Sequence, residues 1–319
     1  MSIIEVKNRI KAVKNIGQIT KAMEVVAATK MRKSQQVALN SRPYAFKALQ
    51  LLSVLAQNIN VSTSQVGTFG IKADLMKIRL IKKTLVVIVT SDRGLAGSFN
   101  SQVLRSADSF LKAYDENRTT SQVVLLAVGK KAISYVSKKK LNSAGQFSGF
   151  GDFIQPEETN QLGDILIKGF LNKEWNRVMT ISTHFRSTLK QEVLTRQILP
   201  VDLEKIQQTI EEVIPEHGRF SELRQIRRLA MSSNLDYIFE PSSKELIDGL
   251  VDHLVRMQVY HLVLEANASE HSARMVAMKT ASDNAKELSE NLNLEYNKAR
   301  QAGITKELIE ITSAASALN

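Results

Sequence analysis

Apolar side chains at Val6, Ile10, Val13, Ile16, Ile19, Met23 and Val26 advance in steps of three or four and draw one stripe along a helix. This predicts a first helix over residues 1–57, interrupted only by Gly17 before Pro43. From Ser242 onward there is no proline, and Ala277, Ala281, Ala285, Leu288, Leu292, Tyr296 and Ala299 repeat the same spacing. A helix over 242–319 would run about 110 Å at the usual rise per residue. So long an element has to be a shaft, a strut or one arm of a coiled coil.

Between these ends the period changes. Thr84–Thr90, Gln122–Val128 and Arg177–Phe185 are near-continuous runs of β-branched and aliphatic residues, as expected of strands buried on both faces. Helical patterns over about 98–117, 130–140 and 156–173 separate them, which is the β-α-β rhythm of a parallel sheet. Gln191 to Val201 reads as an edge strand ending at Pro200. The middle is therefore expected to be an α/β domain over residues 75–200, inserted between two helical arms. Residues 202–228 form a connecting segment interrupted by Pro215 and Gly218, in which Leu203, Ile206, Ile210 and Val213 predict a short amphipathic helix.

Composition narrows the class. With 319 residues and 43% hydrophobic content the chain can build one sizeable core plus an extended part, and its aromatic share of 6% is low. No stretch approaches twenty uninterrupted apolar residues, and Lys7, Arg9, Lys11, Lys14 and Lys21 argue against a membrane span or secretory signal at the start. The absence of cysteine excludes disulfides and thiolate metal sites. The net charge of +11 concentrates in the first helix, where ten Lys and Arg face only Glu5 and Glu24. Such a helix presents a solvated basic face, or a contact with an acidic partner, nucleic acid or membrane surface.

Catalytic constellations are thin. Ser91-Asp92-Arg93-Gly94-Leu95-Ala96-Gly97-Ser98 stands between a strand and a helix, where a nucleotide-binding fold places its phosphate loop. Its glycines spell only G-x-x-G, so a tight strand-to-helix turn is the expectation and no cofactor is assigned. His184, His217, His253, His261 and His271 lack metal-ligand spacing, and His271 reads as a helix-surface residue. Glu157-Glu158 and Glu211-Glu212 are adjacent, so on a helix they diverge by about 100° and form no acid/base pair. No catalytic or metal-binding residue is expected.

Longer words are written on the terminal helices. They are Ile19-Thr20-Lys21-Ala22-Met23-Glu24-Val25-Val26-Ala27-Ala28-Thr29-Lys30-Met31, Ser269-Glu270-His271-Ser272-Ala273-Arg274-Met275-Val276-Ala277-Met278, and the run from Tyr296 to Ile311. Together with Thr90–Gly97 and Tyr237–Ser242, in this order and spacing, they resemble the gamma subunit of rotary F-type ATP synthases over nearly the whole chain. The resemblance implies a long antiparallel coiled coil of N- and C-terminal helices with an inserted Rossmann-like α/β domain. It implies a non-catalytic rotor, present once per complex, that couples ion-driven rotation of the membrane c-ring to ATP synthesis or hydrolysis in the alpha and beta subunits. The epsilon subunit is a further implied partner, nucleic acid is not one, and membrane association runs through the complex only. The resemblance also suggests the cytoplasmic face of a bacterial cell membrane, since the paired-cysteine segment of chloroplast relatives is missing and no transit peptide is evident. Met23, Arg274, Arg300, Gln301 and Thr305 match family positions that contact partner subunits. Ala96, Ser98 and Ala314 depart from residues frequent in the family.

Two other classes stay open on the residues alone: a non-rotating coiled-coil scaffold, and a nucleotide-dependent enzyme with a helical arm. The predicted helix ends set a register for the coil. Paired residue numbers should total about 297, which places Met23 beside Arg274 and leaves roughly the last twenty residues as a single helix.

Overall fold

The computed structural model describes residues 3–62, 74–116, 122–152, 154–202 and 243–317. Most of the connecting segment 202–228, with its expected helix, lies outside them. Two compact units are formed, one from Met1–Thr29 with Arg274–Asn319 and one from Lys30–Ala273. Helix α1, Ile3–Ser62, and helix α5, Ser243–Ala317, each contribute to both units.

The second unit holds a five-stranded sheet: β1 Lys83–Val89, β2 Gln122–Val128, β3 Ser143–Phe147, β4 Arg177–Phe185 and β5 Gln191–Leu199. Its order is β3-β2-β1-β4-β5. The first four strands run parallel, with Lys83 opposite Gln122 and Thr84 opposite Arg177, and β5 closes the edge antiparallel to β4. The β-branched runs of β1 and β2 are buried because helices cover both faces. On one face Val86, Ile88, Leu125 and Ala127 meet Val103 and Ala107 of α2, Phe99–Glu116, and Ala132 and Val136 of α3, Lys130–Lys138. On the other, Leu85, Val87 and Leu126 share a core with Leu162, Leu166 and Phe170 of α4, Pro156–Leu171, and with Val251, Val255 and Val259 of α5. Helix α4 starts on a capping box between Gln155 and Glu158 with Pro156 at its first position, which satisfies backbone donors that a helix start leaves free. Trp175 lies so close over Gly169 that a Cβ there would sit 2.0 Å from the indole.

Strand β3 lacks the expected signature. Ser143-Ala144-Gly145-Gln146-Phe147 has no β-branched residue, and its half-exposed edge position removes the need for one.

Candidate partner interface

In the first unit α1 and α5 run antiparallel. Gly17 approaches Ala285, where a Cβ on the glycine would lie 3.4 Å from that of the alanine, and the Ser282 hydroxyl donates to the Gly17 carbonyl at 3.4 Å. Val6, Ile10 and Leu292 form a small core with Val13 and Tyr296 against it, and Ile3 lies 3.6 Å from a Cβ placed on Gly303. The numbers of the pairs 17/285 and 3/303 total 302 and 306, so the expected register of 297 is corrected upward by five to nine residues. The cause is the helix ends, since α1 continues to Ser62 and α5 begins at Ser243. Met23 therefore does not stand beside Arg274, but about five residues away in register, or ~7 Å along the axis.

The stripe on α1 is also corrected. The covered seam is Val6, Ile10, Val13, Gly17, Thr20, Glu24 and Ala27, in alternating steps of four and three, with Met23 and Ala28 half-buried beside it. Ile16, Ile19 and Val26, expected to be inside, are 53%, 59% and 51% exposed. A two-helix contact covers only a narrow seam, and small residues let the backbones approach there. The larger aliphatics are left on one uncovered flank, while Lys7, Lys14 and Lys21, one heptad apart and exposed, follow the other side of the seam. On α5 the seam runs through Met278, Ala285, Ser289 and Leu292, and Leu288 lies outside it at 49% exposure.

Of the five expected contact residues, Arg300, Gln301 and Thr305 are exposed, Met23 is half-buried and Arg274 is buried. The Thr305 hydroxyl donates to the Gln301 carbonyl one turn back at 2.9 Å. Beyond Gly303 the residues from Ile304 to Ser313 are exposed, including Ile304, Leu308, Ile309 and Ile311.

In the second unit the turn after β1 is occupied by its own carboxylate. Asp92 accepts from the Lys130 amide at 2.9 Å and from the Gly149 amide at 2.7 Å. These are the donors at the start of α3 and in the neighbouring loop that a bound anion would use. Gly129, at φ 90°, passes so near Thr90 that a Cβ would lie 2.2 Å from its carbonyl oxygen. Thr90 in turn donates its hydroxyl to the Val128 carbonyl and accepts from the Ala132 amide. A cavity of about 310 Å³ opens beside this turn, lined among others by Arg93, Lys130, Phe150 and Glu270. Among the described residues no group of His, Cys, Asp and Glu could hold a metal ion.

Two buried polar clusters were not legible in the sequence. Glu265 of α5 accepts a 2.8 Å hydrogen bond from His184 Nδ1 of β4, with Arg196 of β5 at 3.6 Å. Burial pushes the Glu265 carboxyl up, but the hydrogen bond and the attraction of His184 and Arg196 hold it below its usual value. The one available signal was a carboxylate embedded in the apolar run around Leu262–Ala266, which calls for a partner. His271, expected on a helix surface, is 3% exposed, and its Nε2 lies 3.3 Å from Asp152, which also binds Lys30 at 2.6 Å. The α/β unit covers that face of α5, which spacing along one helix could not reveal.

A family model described as ATP synthase matches residues 2–318. The chain is 38% identical over 315 residues to the ATP synthase gamma chain of Roseiflexus castenholzii, covering 98% of this chain and 97% of that one. It is 35% identical to the ATP synthase gamma chain of Cytophaga hutchinsonii, over 100% and 99% of the two chains. Among solved structures it resembles a chain of the Euglena gracilis mitochondrial ATP synthase rotor, with a TM-score of 0.57 at 19% identity over 95% and 98% of the chains. A chain of the central stalk and c-ring of the Tetrahymena thermophila mitochondrial enzyme gives a TM-score of 0.55 at 24% identity, over 83% and 99%. Those two likenesses establish the shared fold, and the full-length identities to bacterial gamma chains go further. The chain belongs to the ATP synthase gamma chain family.

Proposed function

We propose that this chain is the non-catalytic rotor of an F-type ATP synthase, present once per complex at the cytoplasmic face of a bacterial cell membrane. In this reading an ion-driven c-ring, with the epsilon subunit, turns the α/β unit. The asymmetric helix pair then turns inside a ring of alpha and beta subunits, whose catalytic sites pass through different nucleotide affinities. The observation that carries the reading is the end of α5, where the residues from Ile304 to Ser313 are exposed with apolar side chains that no other part of the chain covers among the described residues. Such a run calls for a sleeve supplied by other subunits.

The basic flank of α1 suits acidic levers on the beta subunits, since charge complementarity without deep pockets steers contact and leaves no single locked register. Met23 meets a partner at the lever level, with Arg274 supporting that surface from inside, and Arg300, Gln301 and Thr305 make contact higher up. The enzyme alternative is opposed by Asp92, which fills the place of a phosphate at the turn. The test is to mix the chain with its cognate alpha and beta subunits, then record ATP turnover and the rotation of a probe fixed to the α/β unit. One copy per hexamer and unidirectional rotation are expected. A threefold-symmetric stoichiometry, or turnover unaffected by the chain, would remove the rotor reading.

A further inference from the structure

The segment leading into β1 carries two of the three most exposed large aliphatic side chains of the described residues, the third being Leu189. Ile78 is 90% and Leu80 81% exposed, and Leu171 at the end of α4 adds another at 41%. The segment is held along its length. Leu75 is buried in a 3-10 turn, Asp74–Met76, and its carbonyl accepts from the Val201 amide at 2.8 Å. Arg79 points inward: its guanidinium lies 4.7 Å from the centroid of the Phe170 ring and donates to the Phe170 carbonyl at 2.6 Å. At the far end the amides of Lys82 and Lys83 both donate to Asn176 Oδ1 at 3.1 Å, and the Asn176 amide returns a 2.8 Å bond to the Lys83 carbonyl. Ile78 and Leu80 flank the inward Arg79, so the alternation of an extended chain turns them outward together. A surface fixed in this way loses little conformational entropy when it binds.

We propose that this lip docks an acidic protein surface in which an apolar seat is ringed by carboxylates. Lys77, Lys82 and Lys173 are exposed around Ile78, Leu80 and Leu171, with Asp74 and Glu174 as the nearby acids, so the rim is net positive. An anionic lipid surface fits less well. Residues 77–83 include no Trp or Tyr of the kind that anchors at a bilayer boundary. The inference rests on the rotor reading only in assuming that the chain works within an assembly.

The test places a photo-crosslinking residue at Ile78 of the full chain in the membrane-bound complex. Co-purification with the alpha and beta subunits is scored first, and its failure counts against the rotor reading. With the chain incorporated, irradiation should yield an adduct to a protein segment that carries two or more Asp or Glu beside an apolar residue. Ile78→Ser with Leu80→Ser should weaken retention of that protein at least tenfold, and Lys82→Glu with Lys173→Glu should do so as well. The thermal midpoint of the isolated chain should not move, because all four side chains are exposed or half-exposed. Incorporation with adducts only to lipid, only to solvent, or to a segment without carboxylates would overturn the docking lip alone.

Discussion

Gly129 and Gly169 are fixed by what surrounds them, in different ways. At Gly129 the backbone is left-handed and a side chain would strike the Thr90 carbonyl, whereas at Gly169 it would strike the Trp175 ring. Either alanine variant should lower stability by about 1–3 kcal/mol through overpacking, read as a shift in denaturant midpoint at constant slope. Glu265 offers a second test, because its carboxyl is held below its usual value by His184 and Arg196 despite burial. A carboxyl depressed by folding contributes stability that is present above the unfolded value of about 4.3 and is lost as pH falls through the folded one. Acid titration of unfolding should therefore show a loss below about pH 4 that Glu265→Gln flattens. Glu265→Ala should cost about 3–5 kcal/mol at neutral pH, since it strands the buried partners. A titration curve that superimposes on that of the unmodified chain would show that the cluster adds nothing to acid stability.

At the scale of elements, the strands β1, β2 and β4 and the helices α2, α3 and α4 were legible because each buries a full apolar run or stripe. Strand β3 was not, because its Ser-Ala-Gly-Gln-Phe run holds no β-branched or long aliphatic residue, whereas the other edge strand, β5, carries Val193, Leu194 and Ile198 and was legible. The seam of α1 was misread because Ile16, Ile19 and Val26 are more conspicuous than Gly17, Thr20 and Ala27. Bulk marks hydrophobicity, but close approach of two helices selects small residues. Register was misplaced by more than a turn because helix ends are the least certain part of a sequence pattern. Arg300, Gln301 and Thr305 came from resemblance and stand exposed, while the pairing of His184 with Glu265 spans elements that no local spacing connects. The absence of cysteine makes the corrected register directly testable. Gly17→Cys should form a disulfide most readily with Ala285→Cys, and Leu308→Cys with no position in α1, since bonding needs Cα atoms within about 7 Å. Preferential bonding of Gly17→Cys near residue 280 would restore the register of 297.

For the molecule as a whole, the surplus of cations and the uncovered apolar flank of α1 describe a protein finished by its partners. Replacing both Arg300 and Gln301 with alanine should leave the isolated chain folded, since both are exposed, and should weaken its activation of ATP turnover by the alpha and beta subunits. In the rotor reading a charge-assisted hydrogen bond from Arg300 to a partner would contribute about 1.5–3 kcal/mol. Equal turnover and torque in the double variant would return these residues to ordinary helix surface. One feature of the α/β unit runs the other way, toward self-sufficiency. The Asp92 carboxylate is a tethered acetate, seated on two amides where a doubly wound fold would greet a free anion. Cutting the tether in Asp92→Ala should loosen the turn, and small carboxylates such as acetate or formate should raise its thermal midpoint with the logarithm of their concentration once above their dissociation constant, while salts of inert anions should not. The domain would then behave as an anion receptor whose guest had been covalently built in.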